Sequence, residues 1–191
     1  MEKLIDFLIG KSQTLSLEQE SLLKQIKGKA FRQGEIIQQK GDPNTKVYFV
    51  KKGLLKSYVL DQSGKEHIYM FAPEGWLISD LDSKSGDQTS VLYIDAIEDS
   101  EVEVLDKSVL KDLIRVFPES NLNRAEMLAN RIAVLQERVI MLMSATALQR
   151  YEHFLSTYPQ ITQRIPQRMI ASYLGITPEA LSKIRGKRAK K

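Results

Sequence analysis

The chain has no cysteine, two histidines and one tryptophan in 191 residues. Without cysteine there are no disulfides, no thiol redox chemistry and no cysteine-ligated zinc or iron–sulfur cluster. His67 and His153 lie far apart in the sequence. Two histidines are too few for a cupin-like metal centre, which gathers several His and carboxylate ligands, and they make a haem sensor a poor fit. No HExxH, P-loop or Ser/His/Asp set occurs. No apolar run approaches the roughly 18 residues of a membrane span. Residues 1–10 alternate in charge and lack the shape of a secretory signal. These absences exclude the common enzyme classes and argue against a membrane partner; a cytoplasmic protein is expected. No metal or cofactor is expected either.

What is present is a 42% apolar chain, enough for a packed core in one large domain or two smaller ones. The most informative stretch is near the end, residues 165–185. Ile170 and Leu174 are four apart, on one face of a short helix over 167–174. Gly175 follows, where a turn can use positive φ at no steric cost. Thr177 is a natural N-cap, with Pro178 at the first helical position and Glu179 in the first turn. Leu181 and Ile184, three apart, give the second helix an inner face, and Ala171 is small where two helices cross. The spacing of Ala171, Gly175, Ile176, Leu181 and Ile184 matches a helix-turn-helix, whose second helix enters the DNA major groove.

If Leu181 and Ile184 face inward, then Pro178, Glu179, Ser182, Lys183 and Arg185 face outward. Glutamate can accept from cytosine N4, and Lys or Arg can donate to guanine O6 and N7. Thr177, Lys187 and Arg188 complete the expected DNA-contacting set. An ordinary helical hairpin would share the apolar spacing, so charge decides. Residues 162–191 hold eight Lys or Arg against one acid, Glu179, a local charge of +7. The whole chain is +4, which leaves residues 1–161 near −3. A basic end on a mildly acidic body fits a DNA-reading module joined to a domain with another task.

Upstream, two short amphipathic helices are expected, one at Leu4, Ile5, Leu8 and Ile9 and one over about 16–26. From residue 28 to 105 the texture is β. Short runs such as Val47-Tyr48-Phe49-Val50, 56–60, 66–71, 91–97 and 102–105 alternate with turn signals such as Gly41-Asp42-Pro43-Asn44 and Asp61-Gln62-Ser63-Gly64-Lys65. This predicts an antiparallel roll or barrel. Val109, Leu110, Leu113, Ile114 and Phe117 then form a helix face ending at Pro118. Ala125, Leu128, Ile132, Leu135, Val139 and Leu142, spaced 3, 4, 3, 4, 3, form an a/d seam. A helix over 121–145 would be about 37 Å long. Met127, Val134, Ile140 and Met141 make it apolar on other faces too. We read one face as packing on the roll and the seam as meeting a second copy of the chain. A further helix over about 145–158 leads to Pro159.

The roll, the long helix and the terminal helix-turn-helix, in that order, resemble the CRP/FNR family of bacterial transcription regulators over nearly the whole chain. The markers are the Gly41-Asp42 turn, Val47-Tyr48-Phe49-Val50 followed by Lys51-Lys52-Gly53, Ala96-Ile97-Glu98-Asp99-Ser100-Glu101-Val102, and the helix-turn-helix. The resemblance implies an α+β fold with a jelly-roll-like sensor domain with flanking helices at 1–118, a dimerisation helix at 119–145 and a DNA-binding domain at 146–191. It implies a homodimer on a palindromic operator in double-stranded DNA, with RNA polymerase as a candidate partner, and no enzyme activity. The alternative is a cyclic-nucleotide-binding module acting through protein partners, which would leave the basic helix-turn-helix without a task. Family positions that contact bases fall on Pro178, Glu179 and Lys183; Pro178 supplies no charge. Residues 159–165 leave little room for the β-hairpin that many relatives carry there.

Relatives that bind cyclic AMP use a Glu on the ribose hydroxyl and an Arg on the phosphate. By that comparison the effector pocket falls at Gly75, Trp76, Thr89 and Ser90. Trp76 stands in place of the Glu and reads as loop or core packing, and no arginine lies between Arg32 and Arg115. Lys84 offers charge without a bidentate fork. Burying a phosphate without a fixed cation is expensive. Neither cyclic AMP nor cyclic GMP is therefore expected as the effector. Calorimetry should detect no binding of either at micromolar concentration. A micromolar Kd would mean that Lys84 or a backbone nest holds the phosphate.

Overall fold

The computed structural model of the chain describes residues 4–5, 15–43, 46–80, 89–117 and 124–188. In chain order these contain α1 (Leu17–Leu23), β1 (Lys27–Phe31), β2 (Ile36–Gln38), β3 (Lys46–Lys52), β4 (Leu55–Leu60), β5 (Glu66–Ala72), β6 (Leu77–Ile78), β7 (Tyr93–Ala96) and β8 (Ser100–Asp106). Helices α2 (Lys107–Val116), α3 (Arg124–Ser144), α4 (Ala147–Thr157), α5 (Gln167–Leu174) and α6 (Pro178–Arg188) follow. They fall into two compact units. One comprises residues 1–59 and 70–127, the other residues 60–69 and 128–191. The expected first helix, at residues 4–9, lies mostly outside the described residues.

Two four-stranded antiparallel sheets make the roll, in the orders β1-β8-β3-β6 and β2-β7-β4-β5. Strand β3 explains why its four central residues are all apolar. Side chains alternate along a strand, and both faces of this one are buried. Val47 and Phe49 join Leu105, Val109, Leu113 and Phe117 in a cluster under α2. Tyr48 and Val50 face the other way, into a cluster with Phe31, Leu55, Ala72, Ile78, Ile94 and Val102. Pairing of Val47 with Leu105 and Val50 with Val102 sets the register.

Polar pairs are built into the second sheet. Lys56 is opposite Asp95 and Tyr58 opposite Tyr93. The Lys56 ammonium lies 3.5 Å from the Asp95 carboxylate and 4.2 Å from the Tyr58 ring centroid, almost wholly buried. The two tyrosine rings stack at 5.2 Å. A buried ammonium needs such partners, because desolvating it alone would be costly. Burial, with Asp42 nearby, pushes the Tyr48 phenol up to about 12.

Local chemistry accounts for the helix starts. Ser16 and Gln19 form a reciprocal capping box at α1, and Thr146 and Gln149 form another at α4. Residues 159–165, between α4 and α5, are turns and bends. The hairpin expected at 61–65 joins β4 to β5. Asp61 holds it by accepting from the Ser63 and Lys65 N–H groups and the Ser63 hydroxyl, and by pairing with His67 at 2.7 Å. Those bonds, the Ser63 hydroxyl foremost, hold its carboxyl well below the usual range.

Gly53 is a tight point of the roll. Its φ is +97°, and a Cβ there would sit 2.3 Å from Ser100 Oγ and 2.7 Å from Ser100 Cα. That hydroxyl cannot simply move away, since it accepts from Leu54 N–H and donates to the Glu98 carbonyl. Gly53→Ala is expected to destabilise the protein by about 2–3 kcal/mol. Urea midpoints of the two proteins check this.

Candidate nucleic-acid interface

The helix-turn-helix forms where the spacing placed it. Ile170, Ala171 and Leu174 of α5 and Leu181 of α6 are buried, and Ile184 is half-buried. Gly175 takes the left-handed conformation, φ 66° and ψ 36°, and ends α5. Ile176 N–H then donates to the Ala171 carbonyl. The Thr177 hydroxyl accepts from Ala180 N–H at 3.2 Å, and Leu181 N–H donates to the Thr177 carbonyl, so Thr177 is the N-cap of α6.

Around α6, at about 100° per residue, Ala180, Leu181 and Ile184 share the inner side, while Glu179, Ser182, Lys183 and Gly186 share the outer one. Pro178, Glu179, Ser182, Lys183, Arg185, Lys187 and Arg188 are all exposed. Thus the expected DNA-contacting residues lie together on one helix and its cap. The Glu179 carboxyl is lowered, first by its own backbone N–H, then by the Thr177 hydroxyl and by Lys183 one turn on. Like any exposed carboxylate at neutral pH, it can only accept.

Three side chains that the sequence reading did not single out hold this motif. Arg150 of α4 donates to the Leu174 carbonyl at 2.6 Å, at the end of α5. Ser172 of α5 accepts from Ile68 N–H at 3.1 Å and donates to the Glu66 carbonyl at 2.7 Å. Arg138 of α3 donates to the carbonyls of Ile68, Tyr69 and Tyr173 and lies 4.1 Å over the Tyr173 ring. Tyr158, Tyr173 and Phe154 pack edge to face or tilted beside it. Burial and its Tyr173 neighbour raise the Tyr158 phenol well above the usual range.

On α3, the seam residues Ile132, Val139 and Leu142 are 63%, 53% and 42% exposed, and Leu135 is half-buried. Ala125 and Leu128 lie on the same helix, with side chains outside the described residues. Val134, Ile140 and Met143 are exposed as well. Leu142 has a second contact, since its Cδ2 is the atom nearest to where a Gly175 Cβ would stand, at 3.3 Å.

The four residues expected at an effector pocket divide into two networks. Gly75 turns the chain between β5 and β6, and its N–H donates to the Val50 carbonyl while the Trp76 carbonyl accepts from Val50 N–H. Trp76 is 39% exposed. Thr89 bridges to Pro43 and is exposed. Ser90 is buried and belongs to a network that centres on Asp80. Asp80 Oδ2 accepts from Ser90 Oγ and from the N–H groups of Val91 and Leu92, and Gln38 donates to Ser90 Oγ. Asp80 had no signal in the sequence beyond being an acid after an apolar strand. Lys84 lies outside the described residues. Among the described residues no group of three or more His, Asp or Glu is placed to hold a metal ion, and no helix is long and apolar enough to cross a membrane.

Gly175→Ala adds a Cβ at positive φ against Leu142 and Arg150. It should destabilise the protein by about 1–2 kcal/mol, read as a lower melting temperature.

The comparisons with known proteins agree with this arrangement. A cyclic nucleotide-binding domain model matches residues 28–116. The fumarate and nitrate reduction regulatory protein of Vibrio cholerae is 27% identical over 96% of this chain and 75% of its own. The transcriptional activator protein Anr of Pseudomonas protegens is 26% identical over 90% and 75%. Among solved structures, FixK2 of Bradyrhizobium japonicum superposes with TM-score 0.74 at 23% identity, covering 86% of this chain and 85% of its own. A CooA variant from Carboxydothermus hydrogenoformans gives TM-score 0.74 at 20% identity, covering 94% and 81%. With the roll, the long helix and the terminal helix-turn-helix in this order, the chain is similar, along most of its length, to transcription regulators of the CRP/FNR type.

Proposed function

We propose that the chain is a homodimeric, sequence-specific regulator that reads a palindromic operator with one α6 from each copy. The observation that carries this is the outer side of α6, where Glu179, Ser182 and Lys183 are exposed beside Arg185, Lys187 and Arg188. Glu179 and Lys183 read base edges. The basic residues that follow touch phosphates, which fix register and carry no sequence information. Two copies of one recognition helix need half-sites about one helical turn apart.

The exposed seam on α3 supports the dimer. Apolar side chains repeated along one helix stripe seek cover, and a second copy offers an identical stripe. The environment of Ser90 supports an effector other than a cyclic nucleotide. A buried carboxylate, Asp80, occupies its hydroxyl, and an anionic phosphate beside it would be repelled. A neutral or apolar ligand is the effector class that fits, or DNA binding is independent of any effector. The site of action is the cytoplasm, with RNA polymerase as the further partner.

Selection of bound sequences from random DNA, read by gel shift, tests the reading. A two-fold symmetric site should emerge. Glu179→Ala should relax preference at one position per half-site, by about 1–3 kcal/mol. Removing Lys187 and Arg188 should weaken all sequences alike and flatten the salt dependence. Leu135→Asp places an unpaired charge in the seam, and sedimentation should then find monomer at micromolar concentration. Selection with no enriched sequence would favour a module that acts through protein partners.

A further inference from the structure

Gly186 lies inside α6, and nothing among the described residues calls for a glycine there. Its φ is not among the positive values of the chain's glycines, so any residue can adopt its backbone. A Cβ built on it meets no heavy atom within 4 Å among the described residues. Glycine is among the poorest helix formers, because it loses the most backbone freedom on folding. The free protein therefore carries a helix-weakening residue that a small side chain would replace without a clash.

Its position suggests what fills the space. Gly186 is on the outer side of α6 with Glu179 and Ser182, and Arg185, Lys187 and Arg188 are exposed around it. It lies eight residues beyond Pro178, about 12 Å along the helix axis. The major groove is itself about 12 Å wide. A helix that meets base edges with its first turn carries its third turn away from them, toward the backbone. Arg185 and Lys187, on either side of Gly186 in the chain, are the cations that would draw a phosphate in.

We propose that Gly186 is the point at which the sugar–phosphate backbone of DNA rests against α6. The missing side chain lets the strand approach the helix closely enough for the flanking cations to reach phosphate oxygens. The contact is with the backbone, so it serves every sequence equally. This inference rests on the reading of α6 as the DNA-contacting helix.

The test uses the full chain and two variants, Gly186→Ala and Gly186→Leu. Thermal unfolding and affinity for the selected operator and for random duplex are measured at one salt concentration. Gly186→Ala should raise the melting temperature by about 2 °C. It should weaken both DNAs by a similar factor, about tenfold, and Gly186→Leu should weaken both by more than that while remaining folded. Stability and binding then move in opposite directions, which a structural role for the glycine would not produce. A lower melting temperature for Gly186→Ala would mean that the fold needs the glycine, and overturns the proposal. So does a Gly186→Ala affinity within twofold of wild type. A loss confined to the operator would replace the backbone with a base edge and overturn the assignment. Wild-type protein that binds no DNA would overturn the reading of α6 itself. A wild type that binds, with a variant that binds as well, overturns only the role given to Gly186.

Discussion

Within the unit formed by residues 60–69 and 128–191, one guanidinium collects three main-chain carbonyls. Arg138 bonds to Ile68, Tyr69 and Tyr173, and so joins the tip of a β-hairpin, the long helix and the first helix of the DNA-reading motif. A carbonyl away from water must have a donor, and a planar fork can serve several at once. The aromatic wall of Tyr158, Tyr173 and Phe154 keeps the site dry on one side and sets the ring over which the cation lies. Arg150 repeats the device at the end of α5. The placement of α5 thus depends on charged side chains that bond to its main chain.

How much of this was legible in the sequence depends on how local the chemistry is. The helix-turn-helix was readable because its signals lie within about twenty residues: Ile170 and Leu174, then Gly175, Thr177 and Leu181. The 61–65 turn is local in the same sense, and a short apolar run such as 47–50 announces a buried strand. The order of strands was not readable. Strand β8 lies between β1 and β3, and each of those pairings joins residues 49 or more positions apart. Arg138, Ser172 and Asp80 were missed for a related reason. Most of their partners are backbone atoms, which have no identity in a sequence, and they become meaningful only when the fold brings distant peptide groups beside them. The alternation of Val47 and Phe49 against Tyr48 and Val50 was visible as a run, yet which cluster each would join was decided by the two layers on either side.

Charge divides the labour in the same way. The body of the chain carries a small negative excess, and the basic excess is concentrated at the end that holds α6. The one acid in that last segment, Glu179, has its carboxyl lowered by its own backbone N–H, Thr177 and Lys183.

The bonds of Ser172 have a consequence for how the protein behaves in a crowd. Strand β5 ends the order β2-β7-β4-β5, and an outermost strand offers a row of main-chain donors and acceptors to any passing chain. The Ser172 hydroxyl takes one of each, Ile68 N–H and Glu66 C=O, and Arg138 takes two further carbonyls. A helix has been set where a foreign strand would otherwise add itself. The same contact that seats the first helix of the motif therefore occupies main-chain groups of residues 66–69 that an added strand would need.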